Sequence, residues 1–156
     1  MTERVDFYIL KSETAKLRWR FACRLTEKAY LGDLQVVVFN ETPADTEAMD
    51  ELLWTFNDSS FVPHIMERAG TASAETATPR AAAPVRLTPD LDGIDGADLL
   101  VNLSGRLPAR LERFARIAEI IDADAERRRL GRERFKAYRE LQLPLETHQL
   151  DDAADA

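Results

Sequence analysis

Leu34-Gln-Val-Val-Val-Phe39 is a short run, apolar at consecutive positions and rich in β-branched residues, the signature of a strand covered on both faces. Upstream, Val5-Asp-Phe-Tyr-Ile-Leu10 is a second run of strand length. Between them Leu17, Phe21, Leu25 and Ala29 recur at four-residue spacing, with Arg18, Arg20, Arg24 and Lys28 on the outward side. Ser12 is placed to cap this helix and Gly32-Asp33 to end it. Trp19 falls beside the stripe, at the edge of the core. After Phe39, Thr42 or Asp45 starts a second helix whose apolar side is Ala48, Leu52, Leu53 and Trp54. Strand, helix, strand, helix in that order calls for right-handed crossovers and a parallel sheet.

Farther along, Pro84-Val-Arg-Leu-Thr88 reads as a short edge strand ended by Pro89, and Ala97-Asp-Leu-Leu-Val-Asn-Leu103 as a central strand. Pro108 precedes an expected helix whose buried face is Leu111, Phe114, Ala118 and Ile121, with Ile117 beside them, and Asp122 to Asp124 break it before the basic helix. Residues 70–84 are Ala, Thr, Ser and Pro with almost no bulky apolar side chain, the composition of a mobile surface loop. Residues 151–156 form an acidic tail of the kind that stays disordered. The expectation is one α/β domain over residues 1–150, a mostly parallel central sheet with helices on both faces.

A doubly wound sheet of this Rossmann-like kind invites a nucleotide, yet the turn after the first strand is Lys11-Ser-Glu-Thr14, and no glycine-rich phosphate loop occurs anywhere. The two histidines, His64 and His148, have no matching Ser or Cys motif, and the single cysteine, Cys23, has no metal-ligand spacing around it. No catalytic residue, cofactor or metal is expected. The start, Met1-Thr-Glu-Arg-Val-Asp6, lacks the regions of a signal peptide, and no apolar run approaches a membrane span, so a cytoplasmic location without membrane contact is expected.

The net charge of the 156 residues is −7, which argues against a broad nucleic-acid-binding surface. Against that background, Arg127-Arg-Arg-Leu-Gly-Arg-Glu-Arg-Phe-Lys-Ala-Tyr-Arg139 carries seven cations and one acid. On a helix, Arg128, Arg132, Phe135, Lys136 and Arg139 fall on one side, and Leu130, Ala137 and Leu141 fall opposite as a core stripe. Two readings of the cationic side stay open. It is a solvated face with Phe135 lying over arginine stems, or a pocket that clamps a carboxylate while the ring takes an apolar group. Trp54 and Phe61 pose a similar choice between closing the core and anchoring an interface, with Pro63 fixing the exit of the turn.

Asp50-Glu-Leu-Leu-Trp54 followed by Phe61-Val-Pro-His64, Asp98-Leu-Leu-Val-Asn-Leu103, and Arg132-Glu-Arg-Phe-Lys-Ala-Tyr-Arg139 together resemble the chi subunit family of bacterial DNA polymerase III. Val5-Asp-Phe-Tyr-Ile-Leu10 and Arg20-Phe-Ala-Cys-Arg-Leu25 extend the resemblance in the same order, from about residue 3 to about residue 150. It implies a non-catalytic accessory subunit that joins the clamp-loader complex through the psi subunit. It also implies binding to the C-terminal tail of single-stranded DNA-binding protein, which is acidic and ends in an apolar residue with a free carboxylate. By position, the tail site is Arg128, Arg132, Phe135 and Lys136 with Arg139, and the psi-facing surface includes Trp54 and Phe61. The family often has tyrosine where Phe135 stands, and phenylalanine brings no hydroxyl. Nucleic acid would then be reached only through the protein partner. Two rival readings are a small nucleotide-binding or transferase domain, and direct single-stranded DNA binding by the basic helix, which offers only one aromatic platform.

An acidic tail in the same chain as a basic helix is a competitor for any acidic ligand of that helix. Deleting Asp151 to Ala156 is expected to tighten binding of an acidic peptide at low salt and to have no effect at high salt, read by fluorescence anisotropy. No change at low salt would count against self-competition.

Overall fold

The computed structural model describes residues 2–12, 14–57, 61–66 and 84–150. Apart from Pro84, the segments read as a mobile loop (70–84) and an acidic tail (151–156) lie outside those residues. In chain order the elements are β1 (Arg4–Ile9), α1 (Ala15–Leu31), β2 (Val36–Phe39), α2 (Pro43–Thr55), β3 (His64–Met66), β4 (Val85–Thr88), β5 (Ala97–Asn102), a 3-10 turn (Leu111–Arg113), β6 (Phe114–Ile121), α3 (Ala125–Glu140) and β7 (Leu145–Gln149). The seven strands form one sheet in the order β3-β4-β2-β5-β6-β1-β7. Every pair in it is parallel.

Alternation along the strands divides the core in two. Val36 and Val38 of β2 join Val85, Leu87, Val101 and Ile120 on the face covered by α1 and α2, through Ala22, Cys23, Met49 and Leu53. Val37 and Phe39 join Val5, Phe7, Leu100, Phe114 and Ile117 on the face covered by α3 through Tyr138. The consecutive valines of β2 are buried because each face has its own layer, which is why parallel strands read as unbroken apolar runs.

Several expectations are corrected. The stretch from Phe114 to Ile121 is a strand and not a helix. It lies between β5 and β1, and every residue from Ile117 to Ile121 is buried, so its apolar side chains fill both faces. The β4 strand is interior, lying between β3 and β2 with all four residues buried; the edges are β3 and β7, neither of which the apolar pattern indicated. Thr14 and not Ser12 takes the N-cap position of α1, while the Ser12 hydroxyl accepts from the Thr14 N–H at 2.9 Å. Thr42 does cap α2, accepting from the Asp45 N–H at 3.1 Å.

Arg18 is the sharpest departure on α1. It is buried and not outward-facing, with Nε donating to the Ile120 carbonyl at 2.9 Å and Nη2 to the Leu103 carbonyl at 3.3 Å. Burial pulls its guanidinium down to about 10. The side of α2 that packs inward is Thr46, Met49 and Leu53, leaving Ala48 exposed. On α3 the inward side is Gly131, Arg134 and Tyr138, whereas Leu130 and Ala137 are half-buried and Leu141 is exposed.

The reason for that rotation of α3 is Glu119, at the middle of β6 and fully buried. Its carboxylate accepts from Arg134 Nε at 3.1 Å, from Asn102 Nδ2 at 2.8 Å and from the Tyr138 hydroxyl at 2.7 Å. Burial, then the neighbouring Glu119 charge, pushes the Tyr138 phenol well above its ordinary range, so it remains a donor. Removing one member of a buried ion pair leaves the other uncompensated. Glu119→Ala is expected to destabilise the fold by about 3–5 kcal/mol in urea unfolding, whereas Arg129→Ala on the exposed side should leave the urea midpoint close to the parent's.

Candidate functional site

The α3 groove is built by its first residues. Asp122, at the end of β6, accepts from Arg127 Nε at 2.8 Å and Nη2 at 2.7 Å, while Asp124 caps the helix by accepting the Arg127 N–H at 2.9 Å. Arg128 Nε donates back to the Asp122 carbonyl at 3.1 Å. One turn later Gly131 lets the helix settle onto β6; a Cβ there would lie 2.9 Å from Ile121 Cδ1. The close approach leaves a depression of about 230 Å³ between α3 and the last residues of β1, β6 and β7. Its walls are Arg128, Arg132 and Phe135 from the helix and Phe7, Ile9, Ile121, Thr147 and Gln149 from the sheet.

The seven cations of the segment separate into groups by what they touch. Arg127 is taken by Asp122, Arg134 by Glu119, and Arg129 by Glu126 and Glu133. Arg128 is partly held by a backbone carbonyl. Arg132, Lys136 and Arg139 are exposed and make no side-chain ion pair among the described residues. Phe135 is half-buried and not stranded among cations, because its ring meets Phe7 edge-on at 5.1 Å and 65°. The structure therefore joins Arg128, Arg132 and Phe135 in one pocket and leaves Lys136 and Arg139 outside its walls, on the same exposed side of the helix. Sequence reasoning missed Phe7 and Ile9 of the remote β1, and Ile121, Thr147 and Gln149 of the strands that flank α3 in the chain, β6 being read as a helix and β7 not read as a strand.

At the opposite edge of the sheet, Trp54 and Phe61 are 47% and 64% exposed. Their rings lie 5.4 Å apart, and the indole lies tilted at 43° against His64 with centroids 4.5 Å apart; His64 Nδ1 is 2.6 Å from the Val62 carbonyl and Nε2 3.1 Å from the Asp50 carboxylate. Ile65 and Met66 of β3 continue this apolar surface. So large an aromatic surface, held in place by a buried histidine, is not used by the described core.

Three other places bear on the rival readings. At the carboxyl ends of β2, β5 and β6 a crevice of about 560 Å³ is bordered by Arg18, Trp19, Asn40 and Arg106. Glu41 and Asp45 stand at the start of α2, and Asp124 and Glu126 at the start of α3, placing carboxylates where phosphate would need bare N–H groups. Asp6, Glu146 and His148 form a cluster across β1 and β7, but Asp6 is already engaged by Arg4, Arg116 and His148. Burial raises the Asp6 carboxyl, and the His148 and Arg116 hydrogen bonds with the Arg4 charge outweigh it and hold it below its ordinary value. Two guanidiniums in the shell do not suit a metal ion. Cys23 is buried against Met49, and burial pushes its thiol up to about 12, which denies it a nucleophile's role.

The family model described as DNA polymerase III chi subunit, HolC, matches residues 1–146. The chain belongs to the DNA polymerase III chi subunit family. It is 34% identical over 147 residues to a DNA polymerase III subunit chi from Pseudomonas aeruginosa, covering 94% of this chain and 96% of that protein. The chi subunit from Escherichia coli is 25% identical over 138 residues, covering 85% and 88% of the two chains. The C-terminal domain of the DEAD-box protein Dbp5 superposes with a TM-score of 0.62 over 96% of this chain and 91% of that one, at 13% identity, a likeness of fold alone. Membership in the chi family makes the chain an accessory subunit of the replicase, with other replicase subunits as its partners. Among the described residues, no helix is long and apolar enough to cross a membrane.

For a chi subunit the lone thiol is a core group. Cys23 is expected to resist a thiol reagent in the native state at pH 8 and to react fully once the chain is unfolded in denaturant. Fast native labelling would show that the helix around it opens.

Proposed function

We propose that this chi subunit bridges the clamp-loader complex, through psi at Trp54 and Phe61, to the C-terminal tail of single-stranded DNA-binding protein at the α3 groove. The observation that carries the reading is the unpaired Arg132 standing beside an apolar depression formed by Phe7, Ile9, Ile121 and Phe135. A chain end that is apolar and carries a free carboxylate satisfies both at once: the side chain leaves water, and the carboxylate meets Arg128 and Arg132. Lys136 and Arg139 extend the positive side toward acids upstream in the tail. The psi reading rests on Trp54 and Phe61, aromatics of the type that anchors interfaces.

The sheet order supports a bridge. The β3 edge carries the aromatic surface and the β7 edge the groove, and six inter-strand steps separate them by roughly 29 Å. Two partners therefore have room to bind together, and tethering raises the local concentration of polymerase at coated template without any catalytic contribution from this chain.

Arg132→Ala is expected to weaken a tail peptide by about tenfold or more, and deleting the peptide's final residue by a similar factor, both read by calorimetry. Undiminished binding in both cases would remove the groove from consideration. Trp54→Ala combined with Phe61→Ala is expected to lose psi in gel filtration while binding the tail peptide normally.

A further inference from the structure

β7 has an open side. It pairs with β1 in parallel, Val5 opposite Leu145 and Ile9 opposite Gln149, and it is the last strand of the sheet. The Val5 N–H donates to the Pro144 carbonyl at 2.9 Å, and the Leu150 N–H donates to the Ile9 carbonyl at 2.9 Å. In a parallel ladder a residue turns its N–H and C=O to the same neighbour, and alternate residues turn both the other way. Pro144, Glu146, His148 and Leu150 therefore address β1. The main-chain groups of Leu145, Thr147 and Gln149 face outward, with no partner among the described residues.

Thr147 and Gln149 are also the two β7 residues whose side chains line the pocket. The groove and the open ladder are thus two aspects of the same residues. A peptide seated in the groove with its end at Arg128 and Arg132 has this open edge directly beside it.

The direction of that peptide follows from the helix. α3 ends at Glu140 and β7 begins at Leu145 after a four-residue turn, so the two run in opposite senses. Arg132 faces the carboxyl-terminal part of β7, and the helix then advances by about 10 Å to Arg139, toward the start of the strand. A ligand whose last residue meets Arg128 and Arg132, and whose acids follow Lys136 and Arg139, therefore runs from the Leu145 end to the Gln149 end. That is the direction of all seven strands.

We infer that the acidic tail docks on β7 as an eighth, parallel strand, its last side chain in the pocket and alternate amides paired with Leu145, Thr147 and Gln149. The inference rests on the tail reading above and adds its binding mode and polarity. Strand addition gives affinity through main-chain bonds while the pocket and cations supply selectivity.

The test is a set of tail peptides methylated at one backbone nitrogen each, titrated against the whole protein. Strand addition predicts an alternating profile, with every second methylation weakening binding by about tenfold and the others by less than about twofold. Thr147→Pro removes an outward N–H without touching the ladder to β1, so it should weaken the unmodified peptide well beyond Thr147→Val, which alters the pocket wall but keeps the N–H, while leaving the melting temperature near that of the parent. For polarity, Arg139→Glu should weaken the full tail more than a peptide of only its final few residues. A flat methylation profile with binding still dependent on Arg132 overturns strand addition and leaves the tail site standing. Binding that ignores Arg132→Ala overturns both. Equal effects of Arg139→Glu on long and short peptides overturn the assigned direction.

Discussion

The buried carboxylate of Glu119 sets the position of the α3 side chains that border the groove. It stands on β6 with no exposure and gathers donors from β5 through Asn102 and from α3 through Arg134 and Tyr138. An ion in that environment is tolerable only while its partners hold their geometry, so the helix has one rotational setting. In that setting Gly131 meets Ile121 and Phe135 meets Phe7, while the side bearing Arg128, Arg132, Lys136 and Arg139 is turned to the groove and solvent. A helix held only by an apolar stripe would have looser angular definition, and the pocket would lose its walls.

The same constraint explains why net positive charge on this segment is a poor guide to its binding capacity. Seven cations give an impression of a broad electrostatic surface, but three are neutralised by acids of the fold itself, and two of those pairs are structural. The remaining charges are few and lie in a line beside apolar atoms. Bare phosphate gains little from the apolar part, whereas a short acidic peptide with an apolar end uses both. On the proposed reading, selectivity would come from subtraction: pairing within the fold removes Arg127, Arg129 and Arg134 from the charge offered to a polyanion.

The sequence revealed the α/β plan because β2 is buried on both faces and leaves an unbroken apolar run, with the largely apolar β1 and β5 interrupted only by Asp6 and Asp98. It concealed β6, where Leu111, Phe114, Ala118 and Ile121 coincide with helical spacing; the cluster Ile117, Ile120 and Ile121 was the contrary signal, since adjacent β-branched residues suit a strand. The short β3 and the largely polar β7 carry too little apolar pattern to announce themselves, because an edge strand is buried on fewer sides. Arg18 and Arg134 were hidden for another reason. Nothing in a local pattern distinguishes an arginine that reaches a buried carbonyl or carboxylate from one that reaches water, since the partners Ile120, Leu103 and Glu119 are distant along the chain. Resemblance located Arg128, Arg132 and Phe135, and only the tertiary structure adds the strand residues that complete the pocket.

The placement of both candidate docking surfaces at sheet edges is a physical consequence of the topology. An all-parallel sheet must expose two strands with open main-chain groups, and such edges invite unwanted pairing. β3 is kept to three residues, flanked by the exposed pair Trp54 and Phe61; β7 is guarded by Glu146 and His148 on the face away from α3. Short length and charge limit self-association at each edge, yet both leave enough apolar surface nearby to reward a specific partner. If each edge is covered in the assembled replicase, the features that make the isolated sheet vulnerable become its points of attachment. The middle of the sheet, where a doubly wound fold ordinarily holds a nucleotide, then serves as a rigid spacer between them. At the carboxyl-end crevice the helix N-termini are taken by the chain's own side chains, Thr42 on α2 and Asp124 on α3, beside the carboxylates of Glu41, Asp45 and Glu126.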